Sequence, residues 1–291
     1  MKKIVILGAG ESGAGSAILA RKMGFDVLVT DKGIIKENYR QMLDSENIRW
    51  EEGKHTEEEI LSADEVIKSP GVREDAPIVI KIREKGIPVI SEIEFAGRYA
   101  EGKKICVTGS NGKTTVTNLI YHILEKAGKK VAMTGNVGNS FAMAVAQGGY
   151  DYYVIELSSF QLDDMYSFKA DIAVLMNITP DHLDRYGYNF QNYIDSKFRI
   201  TRNQTKSEFL IYWADDPVIR NELKKKEYGM TLLPFSAESK EGMAAFIEEN
   251  NLIIDYHTKT NLMTIHDLAL KGRHNLYNSM AAAIAGKVLA I

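Results

Sequence analysis

Residues 108–115 read Thr-Gly-Ser-Asn-Gly-Lys-Thr-Thr, between a short apolar run and a long amphipathic stretch. A glycine loop between a strand and a helix that ends in Gly-Lys-Thr is typical of a P-loop, where backbone N–H groups surround phosphate oxygens. Lys113 would reach the β- and γ-phosphates, and the Thr114 hydroxyl would bind Mg²⁺. The strict pattern has another glycine where this chain has Val107. The stretch predicts a nucleoside triphosphate site, and a plain helix N-terminus with a surface lysine is the alternative.

A second glycine loop lies near the start of the chain. Its sequence, Gly8-Ala9-Gly10-Glu11-Ser12-Gly13, follows an apolar run, and Asp31 ends the next run. The pattern is typical of dinucleotide-binding folds, since glycines let the backbone approach a diphosphate at a helix N-terminus and the acid contacts a ribose. The loop predicts a nucleotide diphosphate without identifying the nucleotide. A tight turn that binds nothing is the alternative.

Short apolar runs alternate with amphipathic stretches along most of the chain. The first series has runs at residues 4–7, 27–30, 66–68 and 89–90, with helical patterns at 16–23 and 78–85. A second series starts at residue 103, with runs at 104–108, 131–134, 152–155 and 172–176 and helical patterns at 115–127 and 193–201. This alternation predicts βαβ units and mainly parallel sheets.

The length of 291 residues suits two domains at roughly 150 residues each. We predict an α/β protein, with a Rossmann-like domain over residues 1–93 and a P-loop domain over residues 94–291. The pattern is less regular beyond residue 205, where residues 252–256 and 262–265 predict a hairpin and residues 273–291 a final helix.

Composition excludes several classes of protein. The net charge is −3 with scattered basic residues, which argues against a nucleic-acid-coating surface. Cys106 is the only cysteine, so an internal disulfide and a cysteine metal cluster are excluded, and a reducing cytoplasm fits. No apolar stretch is long enough to span a bilayer. We therefore expect a cytoplasmic protein with neither nucleic acid nor membrane as partner.

Two further residues follow strands of the second series. Glu156 ends the run at 152–155, and His182 follows the run at 172–176. Ligands of open α/β sheets collect at the carboxyl ends of strands, so both side chains are candidates for a Mg²⁺ site beside the P-loop. A hydrogen-bonded acid and an ordinary loop histidine are the alternatives. The other histidines, His55 among them, show no metal-ligand spacing, and Lys197 alone would be a solvated lysine.

Together these residues resemble the Mur ligases of peptidoglycan synthesis, which form amide bonds with ATP. The P-loop, including its missing first glycine, is similar to that family's loop. The further matching blocks are Glu156-Leu-Ser-Ser-Phe-Gln-Leu162, Asn177-Ile-Thr-Pro-Asp-His-Leu-Asp184, Ser69-Pro70-Gly71 and His274-Asn275-Leu-Tyr-Asn278. The resemblance covers residues 4–291. The glutamine and phenylalanine of the first block favour the member that adds D-glutamate to UDP-N-acetylmuramoyl-L-alanine through an acyl phosphate.

The resemblance also implies a role for each matched residue. The implied substrate-binding residues are Gly8, Gly10, Ser12, Gly13, Asp31, Gly71, Asn136 and Ser158. The implied ATP-binding residues are Gly109, Ser110, Asn111, Gly112, Lys113, Thr114, Thr115, Asn275 and Asn278. Thr114, Glu156, His182 and Lys197 are implied ligands of Mg²⁺, with two ions expected. Lys113, His182 and Lys197 are implied catalytic residues, and Lys197 matches a lysine that the family carbamylates. We expect a monomer.

The family has a third domain that brings part of the ATP site and the D-glutamate site, and we expect it to be absent here. Leu276, Met280, Ile284 and Val288 recur every four residues in a helical pattern that reaches Ile291 without a glycine cap or a polar tail. The sequence therefore predicts the first two domains of such a ligase, inactive alone.

Three other functions remain open on the residues. A nicotinamide-dependent oxidoreductase explains the first glycine loop and leaves the second without a role. A P-loop binding module explains only the second. A folylpolyglutamate synthetase also adds glutamate, but it would not need a uridine-binding first domain.

Overall fold

The computed structural model describes residues 1–291, whose contacts divide them into two units. The first unit comprises Met1–Ala100, Gly138–Gly149 and Phe160–Phe168. The second comprises Glu101–Val137, Tyr150–Ser159 and Lys169–Ile291. The boundary expected near residue 93 lies inside a helix of the first unit, and the division into domains at that point stays a prediction.

A parallel sheet of five strands forms the centre of the first unit. Its strands are β1 (Lys3–Leu7), β2 (Asp26–Asp31), β3 (Arg49–Glu52), β4 (Glu65–Lys68) and β5 (Val89–Ser91). They lie in the order β3-β2-β1-β4-β5. The helices are α1 (Glu11–Lys22), α2 (Glu37–Ser45), α3 (Glu57–Leu61), α4 (Pro77–Glu84) and α5 (Glu92–Gly97), joined by α7 (Phe141–Gln147) from later in the chain.

The four apolar runs of the first series are confirmed as β1, β2, β4 and β5. β3 was not predicted, because Arg49-Trp-Glu-Glu52 contains no apolar run. This strand lies at the edge of the sheet and is partly exposed, so its side chains need not be apolar. α1 begins at Glu11, five residues before the predicted helix. Its first turn is polar because it follows the glycine loop directly.

A sheet of nine strands forms the centre of the second unit. The strands are β6 (Lys103–Thr108), β7 (Val131–Gly135), β8 (Tyr152–Glu156), β9 (Ile172–Leu175), β10 (Phe209–Trp213), β11 (Thr231–Phe235), β12 (Ala245–Glu248), β13 (Asn251–Tyr256) and β14 (Thr258–Thr264). Their order is β14-β13-β12-β11-β10-β9-β6-β8-β7, and only the pairs made by β13 are antiparallel. The helices are α6 (Lys113–Lys126), α8 (Ser159–Asp163), which ends in the first unit, α9 (Phe190–Phe198), α10 (Pro217–Leu223) and α11 (Arg273–Val288).

The predicted hairpin is confirmed as β13 and β14, whereas β10, β11 and β12 were not predicted. The final helix ends at Val288, three residues earlier than predicted, and a 3₁₀ turn (Arg199–Thr201) completes the helix predicted at residues 193–201. α6 and α11 pack together on the sheet, where Ile120, Met280 and Ile284 are buried. No helix in the structure is both long enough and apolar enough to span a membrane.

Candidate functional site

The first glycine loop has a conformation that only small residues allow. Gly8 has a φ of 93°, and a Cβ there would lie 2.9 Å from Ser69 Oγ. A Cβ on Gly13 would lie 1.9 Å from the Gly8 carbonyl oxygen, so the loop folds tightly over the start of α1. The Ser69 hydroxyl donates to that same carbonyl at 3.2 Å, which ties the loop to the residues after β4.

Asp31, predicted to contact the substrate, also holds the glycine loop in place. Its Oδ2 accepts a hydrogen bond from Ala9 N and its Oδ1 one from Gly33 N, both at 2.7 Å. Because the carboxylate fixes two backbone N–H groups at the end of β2, its position is determined by the fold. Each oxygen retains acceptor capacity toward a ligand.

A cavity of about 740 Å³ opens at the carboxyl end of this sheet. The predicted substrate residues Gly8, Gly10, Ser12, Asp31 and Gly71 line it, as do the unpredicted Lys32, His55, Arg73 and Asp75. A Cβ added to Gly10 or Gly71 would meet no protein atom within 4 Å, and neither residue has a positive φ. The fold therefore does not require glycine at these two positions, and their predicted contact with a substrate stays a prediction.

The second glycine loop is held by the segment after β9. Asn111 N donates to Asn177 Oδ1 at 2.8 Å, and Asn177 Nδ2 donates to Asn111 O at 2.9 Å. Ser110 N donates to Asn177 O at 2.8 Å, and the Ser110 hydroxyl donates to Thr179 O at 2.9 Å. Asn177 begins one of the segments that resemble the Mur ligases, but it was not predicted to position the loop. Side-chain amides that bond backbone in this way leave no sequence pattern of their own.

Gly112 caps α6 with a φ of 86°, and the loop's lysine lies over the loop itself. Lys113 Nζ donates to the carbonyl oxygens of Gly109 and Ser110 at 3.0 and 2.9 Å. Burial lowers the pKa of Lys113, while Glu156 and Asp181 oppose this shift. Thr115 lies in the first turn of α6, half-buried. A phosphate would offer Lys113 a charged acceptor in place of two neutral carbonyls.

Glu156 is the polar centre of this site. The carboxylate is almost fully buried at the end of β8, where Oε2 accepts from Thr114 Oγ1 at 2.8 Å and Oε1 from Asn136 Nδ2 at 2.9 Å. The structure thus brings together a P-loop hydroxyl, a buried carboxylate and an amide that were predicted from three separate segments. A hydroxyl and a carboxylate oxygen beside a phosphate loop are the donors that Mg²⁺ prefers, so these residues fit the ion.

Lys197 reaches the underside of the same loop from α9. It is 2% exposed, and Nζ donates to Gly109 O at 2.9 Å and to Thr108 Oγ1 at 3.3 Å. Tyr193, one turn earlier on α9, places its ring 5.3 Å from Nζ and its hydroxyl 3.1 Å from Ser110 Oγ. Tyr193 was not predicted as a site residue. An aromatic residue at this position of a helical pattern is typical of the hydrophobic core, and nothing in the sequence predicts the contact of its hydroxyl.

Of the two predicted asparagines of α11, Asn278 lies beside the P-loop. A Cβ on Gly112 would be 2.6 Å from Asn278 Oδ1, and Asn278 Nδ2 donates to Asn275 Oδ1 at 3.2 Å. The structure thus brings Asn278 to the loop from a distant part of the chain, and the contact of both asparagines with ATP stays a prediction.

His182 and Ser158 are the remaining predicted site residues of the second unit. The His182 side chain is 56% exposed, has a backbone φ of 49°, and lies 3.6 Å from Asp181 Oδ2. Ser158 is half-buried between β8 and α8. No group of three or more His, Cys, Asp and Glu side chains is arranged to hold a metal ion. Metal ligation by His182 and by Lys197 stays a prediction.

Comparison with protein-family models matches the two halves of the chain separately. Residues 2–91 match the model described as Mur ligase MurD-like, N-terminal domain, and residues 107–286 match the Mur ligase middle domain. The matched ranges contain the first and the second glycine loop, respectively. Such a pair of matches leaves no support for the oxidoreductase alternative.

Curated relatives and solved structures agree with these matches. The chain is 58% identical over 291 residues to the UDP-N-acetylmuramoylalanine–D-glutamate ligase of Bacteroides fragilis and 57% identical to that of Bacteroides thetaiotaomicron. Each match covers 100% of this chain but only 65% of the relative, so the chain spans about 65% of the length of these relatives.

In fold, the chain is similar to the UDP-N-acetylmuramate:L-alanyl-γ-D-glutamyl-meso-diaminopimelate ligase from Neisseria meningitides, with a TM-score of 0.68 at 19% identity, covering 100% of this chain and 94% of that one. For the UDP-N-acetylmuramate-alanine ligase MurC of Thermotoga maritima, the TM-score is 0.57 at 20% identity, covering 100% of this chain and 66% of that one. The predicted α/β fold class is confirmed. The chain belongs to the Mur ligase family, as a MurD-like N-terminal domain followed by a Mur ligase middle domain.

Proposed function

We propose that this chain supplies the UDP-substrate site and the ATP site of a ligase that joins D-glutamate to UDP-N-acetylmuramoyl-L-alanine in peptidoglycan synthesis. The observation that carries the proposal is the presence of two nucleotide loops in one chain, each at the carboxyl end of its own sheet. The names of the Bacteroides relatives support this choice of substrate. The chain spans about 65% of those relatives, so the complete reaction is assigned to the whole enzyme.

In the first unit, the N-terminus of α1 and the glycine loop receive the diphosphate of the substrate. A helix N-terminus favours an anion, and Gly10 and Gly71 leave space for it. Asp31 contacts the uridine, and Ser12 lines the same cavity. Asn136 and Ser158 contact the muramoyl part of the substrate.

In the second unit, the P-loop receives the phosphates of ATP. Lys113 exchanges its two carbonyl acceptors for phosphate oxygens, and Asn275 and Asn278 contact the nucleoside. Thr114 and Glu156 hold Mg²⁺, with His182 and a carbamylated Lys197 as further ligands in a site for two ions. Carbamylation of Lys197 would turn a buried cation into an anionic oxygen donor, and the remaining N–H would still donate to the Gly109 carbonyl. Bound Mg²⁺ supplies charge neutralisation for the phosphoryl group.

The chemistry that follows is activation of a carboxylate. An amine cannot expel oxide from a carboxylate, so the alanyl carboxylate oxygen first attacks the γ-phosphorus of ATP. The bond to ADP breaks, and an acyl phosphate forms. The amine of D-glutamate then attacks the acyl carbon, phosphate leaves with the bonding electrons, and the amine loses a proton. Lys113 stabilises the charge on the transferring phosphoryl group through position and electrostatics.

The remaining assignments accompany this function. D-glutamate is the second substrate, and most of its site belongs to a part of the ligase outside these 291 residues. We infer a monomeric enzyme of the cytoplasm, where the nucleotide-linked precursor and ATP are both present. The folylpolyglutamate synthetase alternative is disfavoured because it gives no role to the cavity of the first unit.

Two glycine variants test the substrate site. The absence of a side chain at Gly71 leaves space for the ligand. Gly71→Ala should therefore weaken binding of UDP-N-acetylmuramoyl-L-alanine about tenfold or more and leave the melting temperature unchanged. Gly24 has a φ of 81° and lies outside the cavity, so Gly24→Ala should lower stability by about 1 kcal/mol and leave binding unchanged. Calorimetric titration and thermal unfolding measure both quantities. If the Gly71→Ala variant binds the substrate as tightly as the wild type, the substrate does not bind in this cavity as proposed.

A further inference from the structure

A histidine that neither glycine loop accounts for lines the cavity of the first unit. His55 follows β3, and its Nδ1 lies 2.7 Å from Thr30 Oγ1. Thr30 is fully buried on β2, and its Oγ1 also lies 2.7 Å from Glu51 Oε1 on the neighbouring strand β3. A chain of hydrogen bonds therefore runs from the sheet edge to the cavity wall.

The direction of this chain is determined by Glu51. Its carboxylate accepts from Thr56 N at 2.7 Å, from the Thr56 hydroxyl and from Thr30. Burial opposes ionisation, but the hydrogen bonds from Thr56 and Thr30 outweigh it and lower the pKa of Glu51. An ionised carboxylate only accepts. The single hydroxyl proton of Thr30 must therefore point to Glu51.

The tautomer of His55 follows from this direction. Because the Thr30 proton goes to Glu51, Thr30 Oγ1 can only accept from the imidazole, so Nδ1 carries a proton. Lys54 O, 3.3 Å from Thr30 Oγ1, is the more distant and uncharged acceptor and does not compete. In the neutral ring, Nε2 is then a hydrogen-bond acceptor. Because Nδ1 is hydrogen-bonded to Thr30, Nε2 is the ring nitrogen that remains for a ligand.

The sheet order indicates which part of a bound nucleotide would lie nearest His55. The glycine loop follows β1 and takes the diphosphate, Asp31 ends β2, and His55 follows β3 beyond it. A nucleotide whose phosphates lie at the loop and whose ribose lies at Asp31 extends its base toward β3. Lys32, which follows Asp31, lines the same cavity as His55.

We propose that His55 Nε2 accepts a hydrogen bond from the base of the bound nucleotide and thereby selects a uracil ring over a cytosine ring. Uracil presents an N–H at ring position 3, whereas cytosine presents a lone pair there, which would face the lone pair of Nε2. Selection of the base deepens the proposed function and rests on it. His55 is in this role a specificity-determining residue, with Thr30 and Glu51 as positioning residues.

Titration with UDP and CDP tests the inference on the 291-residue chain. The wild type should bind UDP at least about fivefold more tightly than CDP. His55→Phe keeps a planar ring without the acceptor, so the two affinities should converge. His122→Ala, at an exposed position of α6, is the control and should retain the preference.

A pH series on the wild type gives an independent readout that needs no variant. Burial lowers the pKa of His55 from 6.5 and nearby Lys32 lowers it further, while Glu51 and Asp31 oppose the shift. Protonation turns Nε2 into a donor, so the preference for UDP should be full above about pH 7 and decline as the pH falls below 6.

The outcomes separate the inference from the proposed function. If UDP binds and the preference survives His55→Phe or stays constant with pH, the inference is wrong and the uridine site stands. Equal binding of UDP and CDP by the wild type also overturns the inference. If neither nucleotide binds, the proposed function itself fails.

Discussion

Thr114 Oγ1 on α6 lies 2.8 Å from Glu156 Oε2 at the end of β8, so the hydroxyl of the P-loop donates to a buried carboxylate from another strand. The same two oxygens are those proposed to hold Mg²⁺. The fold therefore places the two oxygens together without an ion, and both would be available to hold Mg²⁺.

Removal of this hydroxyl should uncouple ATP binding from Mg²⁺. We expect Thr114→Val to lose most of the strengthening of ATP binding by Mg²⁺, about tenfold, because one oxygen donor is missing and Glu156 keeps only Asn136 as a partner. Thr114→Ser retains the hydroxyl and should behave as the wild type. ATP titrations with Mg²⁺ and with a chelator measure the effect. Equal strengthening in Thr114→Val and the wild type would contradict the Mg²⁺ assignment.

Lys113→Ala should weaken ATP binding by about 10- to 100-fold, the range for charge-assisted hydrogen bonds. Binding of UDP-N-acetylmuramoyl-L-alanine should remain, since the glycine loop and the cavity proposed to hold its UDP part belong to the first unit. Lys126→Ala, at the exposed end of α6, is a matched control that removes the same charge. If Lys113→Ala binds ATP with an affinity near the wild-type value, Lys113 does not bind the phosphates of ATP.

Lys197 allows a chemical role to be distinguished from a packing role. Lys197→Met keeps the buried volume and Lys197→Ala does not, so a packing role predicts activity in the first variant only. In the complete ligase, a carbamate role predicts that both variants lose ligation and that short carboxylic acids partly restore it in Lys197→Ala. With ¹³C-bicarbonate, NMR should show a carbamate signal in the wild type that both variants lack. Normal ligation by Lys197→Met would exclude the carbamate.

Glu208 predicts an acid-dependent contribution to stability. Burial opposes its ionisation, but hydrogen bonds from Lys169 at 2.8 Å and from Thr205 prevail and lower its pKa from 4.5 to about 2. A pKa that is lower in the folded than in the unfolded protein stabilises the fold at pH values above the unfolded pKa. This contribution is lost as the pH falls from 4.5 toward 2. Glu208→Gln should cost about 2 kcal/mol at pH 7 and much less near pH 3. Urea unfolding measures the difference, with Glu227→Gln as the exposed control; a constant difference across this pH range would argue against the ion pair.

Much of the fold could be predicted because apolar runs and glycine loops report directly on buried strands and tight turns. β3 could not, because an edge strand with the sequence Arg49-Trp-Glu-Glu52 has no apolar period to detect. The P-loop and Glu156 were predictable from residue types at the ends of strands. Asn177, Tyr193 and His55 were not, because their contacts join segments far apart in the chain and depend on which polar atom faces which partner. These contacts are visible only in the three-dimensional structure.

The most direct test of the central claim is a calorimetric titration of the 291-residue chain with UDP-N-acetylmuramoyl-L-alanine, with ATP and Mg²⁺, and with NAD. Two nucleotide loops with separate ligands predict that the UDP-linked substrate and ATP each bind, that one does not displace the other, and that NAD gives no binding signal. Binding of NAD at the first loop without binding of the UDP-linked substrate would contradict the account.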